Sequence, residues 1–157
     1  MCAGHFAGPV DYTNLPQNIM QNDNVISICN AAQIDLSGQA CSESAGVRQI
    51  SGTGGQLQFV RGAYASRDGK SFICLASTYE KDGHRASRIV ARIDQCNIVT
   101  TPRTDVMYVV TEYGIVNLKG KSVPERARAL ISIAHPDFRE ELERQAREYR
   151  LVTRAIF

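Results

Sequence analysis

Three of the four residues from Gly52 to Gly55 are glycine, and they lead directly into Gln56-Leu57-Gln58-Phe59-Val60-Arg61-Gly62-Ala63. Glycine enters the left-handed region without strain and puts no Cβ between the main chain and a ligand. Leu57, Val60 and Tyr64 recur at helical spacing, so the loop is predicted to open a helix over residues 56–65. A glycine turn at a helix start gathers backbone N–H groups at one point, where the helix dipole adds partial positive charge. That geometry suits a phosphate, a carboxylate, or a carbonyl oxygen that becomes negative during reaction. On composition alone, a plain tight turn between two elements is the alternative.

Few other residues offer chemistry. Glu112 ends the apolar run from Val106 to Thr111, beside Tyr113-Gly114. Ligands gather at strand ends in open α/β sheets, so Glu112 is either a site residue that orients neighbouring loops or a structural carboxylate bonded to loop amides. His135 stands before Pro136-Asp137, where a capping or packing role fits better than catalysis. His5 and His84 have no partner at metal-ligand spacing, and no metal site is expected. Cys2, Cys29, Cys41, Cys74 and Cys96 are odd in number and contain no C-x-x-C pair. That argues against a disulfide framework or zinc and for a reducing cytosol. Cys29 and Cys74 lie in apolar runs and read as buried, inert thiols.

The elements that must position these groups read as α/β. At 157 residues, 43% hydrophobic and 22% charged, the chain suits one soluble globular domain. The net charge of +2 implies no nucleic-acid or membrane partner, and no run is long and apolar enough to span a bilayer. The N-terminus lacks the pattern of a secretory signal. Residues 1–24, rich in Gly, Pro, Asn and Gln, read as an irregular leader. Residues 25–29 read as a strand, and residues 33–44 as a hairpin turning at Ser37-Gly38. Residues 71–77 are apolar on both faces, which suits a central strand covered on both sides. Strands are expected over 87–93 and 98–101 around a turn at Gln95-Cys96-Asn97, and over 106–111. Ser122-Val123-Pro124-Glu125 is a capping-box start for a helix to about Ile133. A second helix follows, with an apolar stripe at Phe138, Leu142, Ala146 and Tyr149.

Taken in order, several segments resemble the C-terminal domain of the acetyl-CoA hydrolase/transferase family, which includes 4-hydroxybutyrate and butyrate:acetate CoA-transferases. They are Gln39-Ala40 through the glycine loop to Ala63, Gly69-Lys70-Ser71, Ser87-Arg88-Ile89-Val90, and Val99-Thr100-Thr101. Next come Tyr108-Val109-Val110-Thr111-Glu112-Tyr113-Gly114, Leu118-Lys119-Gly120-Lys121-Ser122, Glu125 to Ile131, and Ile133-Ala134-His135-Pro136-Asp137-Phe138-Arg139. Together they span nearly the whole chain.

The resemblance implies an open, largely parallel sheet flanked by helices, forming one of two similar domains around a cleft that holds CoA. It implies that CoA passes from an acyl-CoA to a small carboxylate through a glutamyl-CoA thioester, with CoA as substrate and no tightly bound cofactor. Water as acceptor would make the enzyme an acetyl-CoA hydrolase. By resemblance Gly55 donates an oxyanion N–H, with Gly54 beside it. Lys81 would reach a CoA phosphate or pantetheine carbonyl, and Asn14 would sit near CoA. On the residues alone, Lys81 is a solvated loop lysine and Asn14 a turn former before Leu15-Pro16.

The family's nucleophilic glutamate has no match in this sequence: Glu43, Glu80 and Glu112 lack its context. Residues 25–157 therefore read as the C-terminal domain with the N-terminal domain absent and an apolar face left exposed, a chain inactive alone and prone to homo-oligomerise. Two positions depart from the family: Gln58 stands where Asp is usual, and Cys29 where Asn is common. A domain that binds CoA or a partner chain without catalysis, or a nucleotide-phosphate loop unrelated to CoA, are the competing classes. Acetate, butyrate, 4-hydroxybutyrate and succinate all stay open as acyl groups.

Overall fold

The computed structural model describes residues 7–81 and 83–152, without the side chain of Lys81. The segment expected to be irregular holds two helical turns, α1 (Val10–Thr13) and α2 (Pro16–Ile19), each ended before it can lengthen. Pro16 starts α2 at a position where a missing N–H costs nothing. The strands β1 (Ile26–Asn30), β2 (Gln33–Asp35), β3 (Ala40–Cys41), β4 (Ser44–Ala45) and β5 (Arg48–Gln49) precede helix α3 (Gln56–Ala65). Then come β6 (Lys70–Cys74), β7 (Thr78–Lys81), β8 (His84–Ser87), β9 (Ile89–Val90), β10 (Tyr108–Thr111) and β11 (Gly114–Asn117). Helices α4 (Val123–Ser132) and α5 (Pro136–Glu148) follow.

The main sheet has the order β1-β6-β10-β11. β6 pairs in parallel with both β1 and β10, and β11 returns antiparallel on β10. This is the expected α/β fold with a mostly parallel sheet, and β6 is its expected central strand. A smaller sheet, β3-β2-β9, contains the predicted hairpin of β2 and β3. Asp35 fixes its turn: its carboxylate accepts from the Ser37 and Gln39 main-chain N–H groups, the Ser37 hydroxyl and the Gln39 amide.

The expected strand over 87–93 breaks at Arg88. Its N–H bonds the Ser77 carbonyl, its guanidinium bonds the Ala32 and Thr78 carbonyls, and it stacks on Tyr79. The chain therefore splits into β8, paired with β7, and β9, paired with β2. Residues 98–101 form no strand beyond a bridge from Thr101 to Ala40. The Thr100 and Thr101 N–H groups both converge on the Ala40 carbonyl instead of alternating along a ladder, while Ile98 N–H donates to Ser44 Oγ and Thr100 Oγ1 accepts from Ser42 N–H.

The core lies between one face of the main sheet, the small sheet and the helices. Val60 of α3, Ile73 of β6, Val109 of β10, and Ala127 and Leu130 of α4 are fully buried in it. The capping box at α4 forms through Glu125, which accepts from the Ser122 N–H at 2.8 Å and its hydroxyl at 2.6 Å. The α5 stripe buries Leu142 and Ala146, half-buries Phe138, and leaves Tyr149 exposed under the Arg92 guanidinium.

Arg126 of α4, only 8% exposed, ties three parts of this core together. Its guanidinium donates to the carbonyls of Ser37 in the β2–β3 turn, Arg103 in the loop before β10, and Lys121. Arg126→Ala strands three carbonyl acceptors and is expected to cost about 3 kcal/mol in urea unfolding. Arg126→Lys, with the charge but not the fork, should recover only part.

Candidate functional site

α3 connects parallel β1 to parallel β6, so it runs against the strands and its first turn lies toward the carboxyl end of β1. The glycine loop occupies that end. Gly54 takes φ +55°, a conformation cheap for glycine, and Gly55 becomes the α3 N-cap. No side chain caps α3, so the N–H groups of its first turn stay available. Gln56 fastens the start of the helix by an amide hydrogen bond of 3.1 Å to the buried Thr101 hydroxyl.

Asn14 and Gly55, both singled out from the sequence, meet here. The space a Cβ would need on Gly55 is held by the Asn14 amide nitrogen at 2.8 Å and the Phe59 ring at 3.3 Å. The Thr13 hydroxyl donates to Asn14 Oδ1 at 3.2 Å, which leaves the amide nitrogen as the end turned to the loop. Asn14 reaches this place because α2 lies directly on α3: a Cβ on Gly62 would fall 2.5 Å from Ile19 Cγ2.

Loop, α3 and the free edge of β1 border an open cleft of about 820 Å³. Its lining includes Asn14, Ile28, Asn30, Ser42, Gly54, Gly55 and Phe59. Among the described residues, none of the lining side chains is a carboxylate, a lysine or an arginine. The cleft thus offers N–H donors, amides and hydroxyls to a ligand, and its polarity comes from dipoles. Gln58 sits on the first turn of α3 outside this lining, and as a neutral residue it leaves the helix start electropositive. Ile28, Ser42 and Phe59 were not singled out in advance. Phe59 carried a signal: it is an aromatic residue one step off the apolar stripe, and it is 39% exposed.

Glu112 lies elsewhere, at the carboxyl ends of β6 and β10. Its carboxylate accepts from the Ser77 hydroxyl at 2.6 Å and the Ser77 N–H at 2.9 Å, joining the turn after β10 to the loop after β6. Burial pushes its carboxyl up, but the Ser77 hydroxyl, two backbone N–H groups and the nearby His135 outweigh this and hold it below the usual glutamate value. His135 caps α5, its Nδ1 accepting from Asp137 N–H at 3.3 Å, and packs edge-on against Tyr113. The Lys81 side chain, like His5, falls outside the described residues.

The thiols differ from expectation. Cys29 and Cys74 are half-buried: Cys29 faces the core from the edge strand β1 and lines the cleft, and Cys74 points to the outer side of the sheet. The inert buried thiol is Cys41, raised to about 11 by burial and by Asp35 and Glu43. Among the described residues, no cluster of His, Cys, Asp and Glu could hold a metal ion. No helix there is long and apolar enough to cross a membrane.

A family model for the acetyl-CoA hydrolase/transferase C-terminal domain matches residues 5–146. The chain is 50% identical over 150 residues to a butyryl-CoA:acetate CoA-transferase of Anaerostipes caccae, covering 95% of this chain and 34% of that protein. It is 56% identical over 133 residues to a 4-hydroxybutyrate coenzyme A transferase of Clostridium kluyveri, covering 85% and 30%. Among solved structures, RipA from Yersinia pestis superposes with a TM-score of 0.84 at 54% identity, over 92% of this chain and 32% of that one. The chain thus spans about a third of the length of the curated relatives it matches.

Two outcomes test the positioning of these residues. Gly62→Ala forces α2 off α3, so the amides of α1 and α2 should exchange with deuterium faster while β6 keeps its protection. Glu112→Gln should lower the melting temperature at neutral pH. A carboxyl depressed in the folded state stabilises fully above its unfolded value, about 4.3, and less as pH falls through that value. The gap between parent and variant in thermal melts should therefore close as the solution is acidified through the carboxylate range.

Proposed function

The chain belongs to the acetyl-CoA hydrolase/transferase family, matching its C-terminal domain, and on that premise we propose that it forms the oxyanion-stabilising wall of a cleft where CoA passes from an acyl-CoA to a small carboxylate. The observation that carries this is the glycine loop at an uncapped helix start, with the Asn14 amide held against Gly55 on an open cleft. In the proposed cycle, a glutamate from outside this chain attacks the thioester carbonyl and expels CoA thiolate, leaving a mixed anhydride. The thiolate attacks the glutamyl carbonyl of that anhydride, releases the first carboxylate, and leaves a glutamyl-CoA thioester. An incoming carboxylate then repeats the two steps in reverse order. Each step places negative charge on a former carbonyl oxygen, and Gly55 N–H, with Gly54 and the α3 dipole, is the group we assign to it. The absence of a carboxylate among the described lining side chains supports a nucleophile supplied from outside this chain.

Asn14 is assigned to the bound CoA, and Lys81 to its phosphate or pantetheine end. Glu112 is a positioning residue that acts through Ser77. The domain is taken as residues 25–157 with α1 and α2 docked on it. Transfer is preferred to hydrolysis because the relatives at 50% and 56% identity carry CoA-transferase names. Short-chain acyl groups, with no tightly bound cofactor, in a reducing cytosol, complete the proposal.

Alone, the chain should bind CoA weakly by calorimetry and show no transfer from acetyl-CoA to butyrate by chromatography. Adding the part of the Clostridium kluyveri relative that precedes the matched region should restore turnover. Gly55→Pro, which deletes the N–H and whose ring also displaces the Asn14 amide, should then lower it about a hundred- to a thousandfold or more, and Gly55→Ala, which keeps the N–H and crowds Asn14, should lower it less. A covalent CoA adduct on the isolated chain, seen by mass after incubation with acetyl-CoA, would place the nucleophile here and overturn the assignment.

A further inference from the structure

Helices α4 and α5 leave a groove of about 510 Å³ between them, a volume within the range of small-molecule sites. Helical spacing builds its two sides. On α5, Arg139, Glu143 and Arg147 recur every four residues and so share one ridge. On α4, Arg128 stands one turn before Ile131 on the opposing ridge. The floor is apolar: Ile131 and Ala146 are buried, and Val152 is half-buried.

The arginines of this region are unequally paired. Arg144, on the same helix but outside the groove, meets Glu141 at 2.6 Å and Glu148 at 3.0 Å. Inside the groove, Arg147 has one carboxylate, Glu143, at the long distance of 3.9 Å. Arg139 uses its Nε on the Ala134 carbonyl at 3.0 Å and lies over the Tyr113 ring. Those contacts hold its guanidinium in place and leave its terminal nitrogens without a carboxylate among the described residues. No hydrogen bond or ion pair there engages the Arg128 side chain. Glu125, one turn back, feels its charge but is committed to Ser122. Three guanidinia therefore stand around one groove with one carboxylate, although like charges repel across a poorly polarisable floor.

We propose that the α4–α5 groove is a binding site for a small phosphate monoester, with the phosphate among Arg128, Arg139 and Arg147 and the organic part on Ile131, Ala146 and Val152. Charge selects the anion. Three guanidinia and one carboxylate leave an excess of two positive charges, which a phosphate dianion cancels and a single carboxylate does not. Donor geometry agrees. One guanidinium fork satisfies both oxygens of a carboxylate, whereas the three terminal oxygens of a phosphate can take donors from all three arginines. The floor selects an ester over the bare ion. An apolar group laid on it leaves water, and it lowers the local dielectric in which the charges pair. The groove shares no lining residue with the glycine-loop cleft, so the site is separate from the one assigned to acyl transfer and stands without that assignment.

Phenyl phosphate is the probe, titrated calorimetrically into the chain at low salt and about pH 7.5, above the second phosphate pKa of about 6. Inorganic phosphate and benzoate serve as the bare ion and the monoanion. Phenyl phosphate should bind about tenfold more tightly than either. Arg128→Gln and Arg147→Gln replace exposed side chains, and circular dichroism melts would confirm that both variants fold. Each should weaken phenyl phosphate about tenfold, while Arg144→Gln leaves it unchanged. Amide resonances of α4 and α5 should shift during the titration. A dissociation constant above about 10 mM would overturn the site, as would binding indifferent to both Arg128→Gln and Arg147→Gln. Inorganic phosphate binding as tightly as phenyl phosphate would remove the role of the apolar floor and overturn the assignment to an ester. Resonance shifts confined to the glycine loop would place the anion in the cleft and overturn the groove.

Discussion

A parallel sheet must be covered, and the position of every other element follows from how this chain covers it. The crossover from β1 to β6 has to lay α3 against the inner face, with Val60 packed among Ile73 and Val109. Because α3 runs against the strands, its start falls at their carboxyl end, where three glycines let the main chain turn sharply. The cleft is a by-product of that packing. No separate scaffold builds it: the helix that buries the inner face also delivers the N–H groups. α2 then uses Gly62 as a notch to lie on α3, and so carries Asn14 to Gly55 from a distant part of the sequence.

Much of this was legible in the residues because it depends on local rules. The 56–65 helix, the capping box at Ser122, the hairpin at Ser37-Gly38 and the central place of β6 all follow from periodicity, glycine and capping chemistry. What was not legible depends on contacts between remote segments. Residues 10–19 have too few turns for a periodic signal, and their helices hold because Ile19 fits Gly62. The strand over 87–93 carried suitable residues, but Arg88 found carbonyl partners on either side and split it. Cys74 read as buried because its strand is apolar on both faces, but among the described residues the side it faces is only partly covered.

The carboxylates show how the chain divides its polar groups. Asp35 is committed to the β2–β3 turn, Glu43 accepts from the Thr100 hydroxyl, Glu112 holds Ser77, and Glu125 caps α4. Glu141 and Glu148 pair with Arg144 on the surface of α5. A carboxylate that is to attack a carbonyl needs an oxygen facing the substrate and unencumbered by strong donors, since each hydrogen bond to the charged form lowers its basicity. Glu112 has both oxygens engaged and a depressed carboxyl, which are the properties of a brace.

The neutrality of the cleft lining has a consequence for the proposed chemistry. A lysine or arginine there would attract the incoming carboxylate in its ground state and lower its nucleophilicity. Such uniform binding improves affinity without improving the chemical step. Backbone N–H groups and a helix start act differently. They present fixed dipoles to a neutral thioester carbonyl, gaining modestly in the ground state and much more once that oxygen is negative. Their value rises as water is excluded, because the same dipoles act more strongly in a low-dielectric site. An open cleft with one wall therefore holds the donors in place but realises little of their strength. In the proposed cycle a second wall would complete the electrostatics as well as the set of reacting groups, by excluding water from these donors.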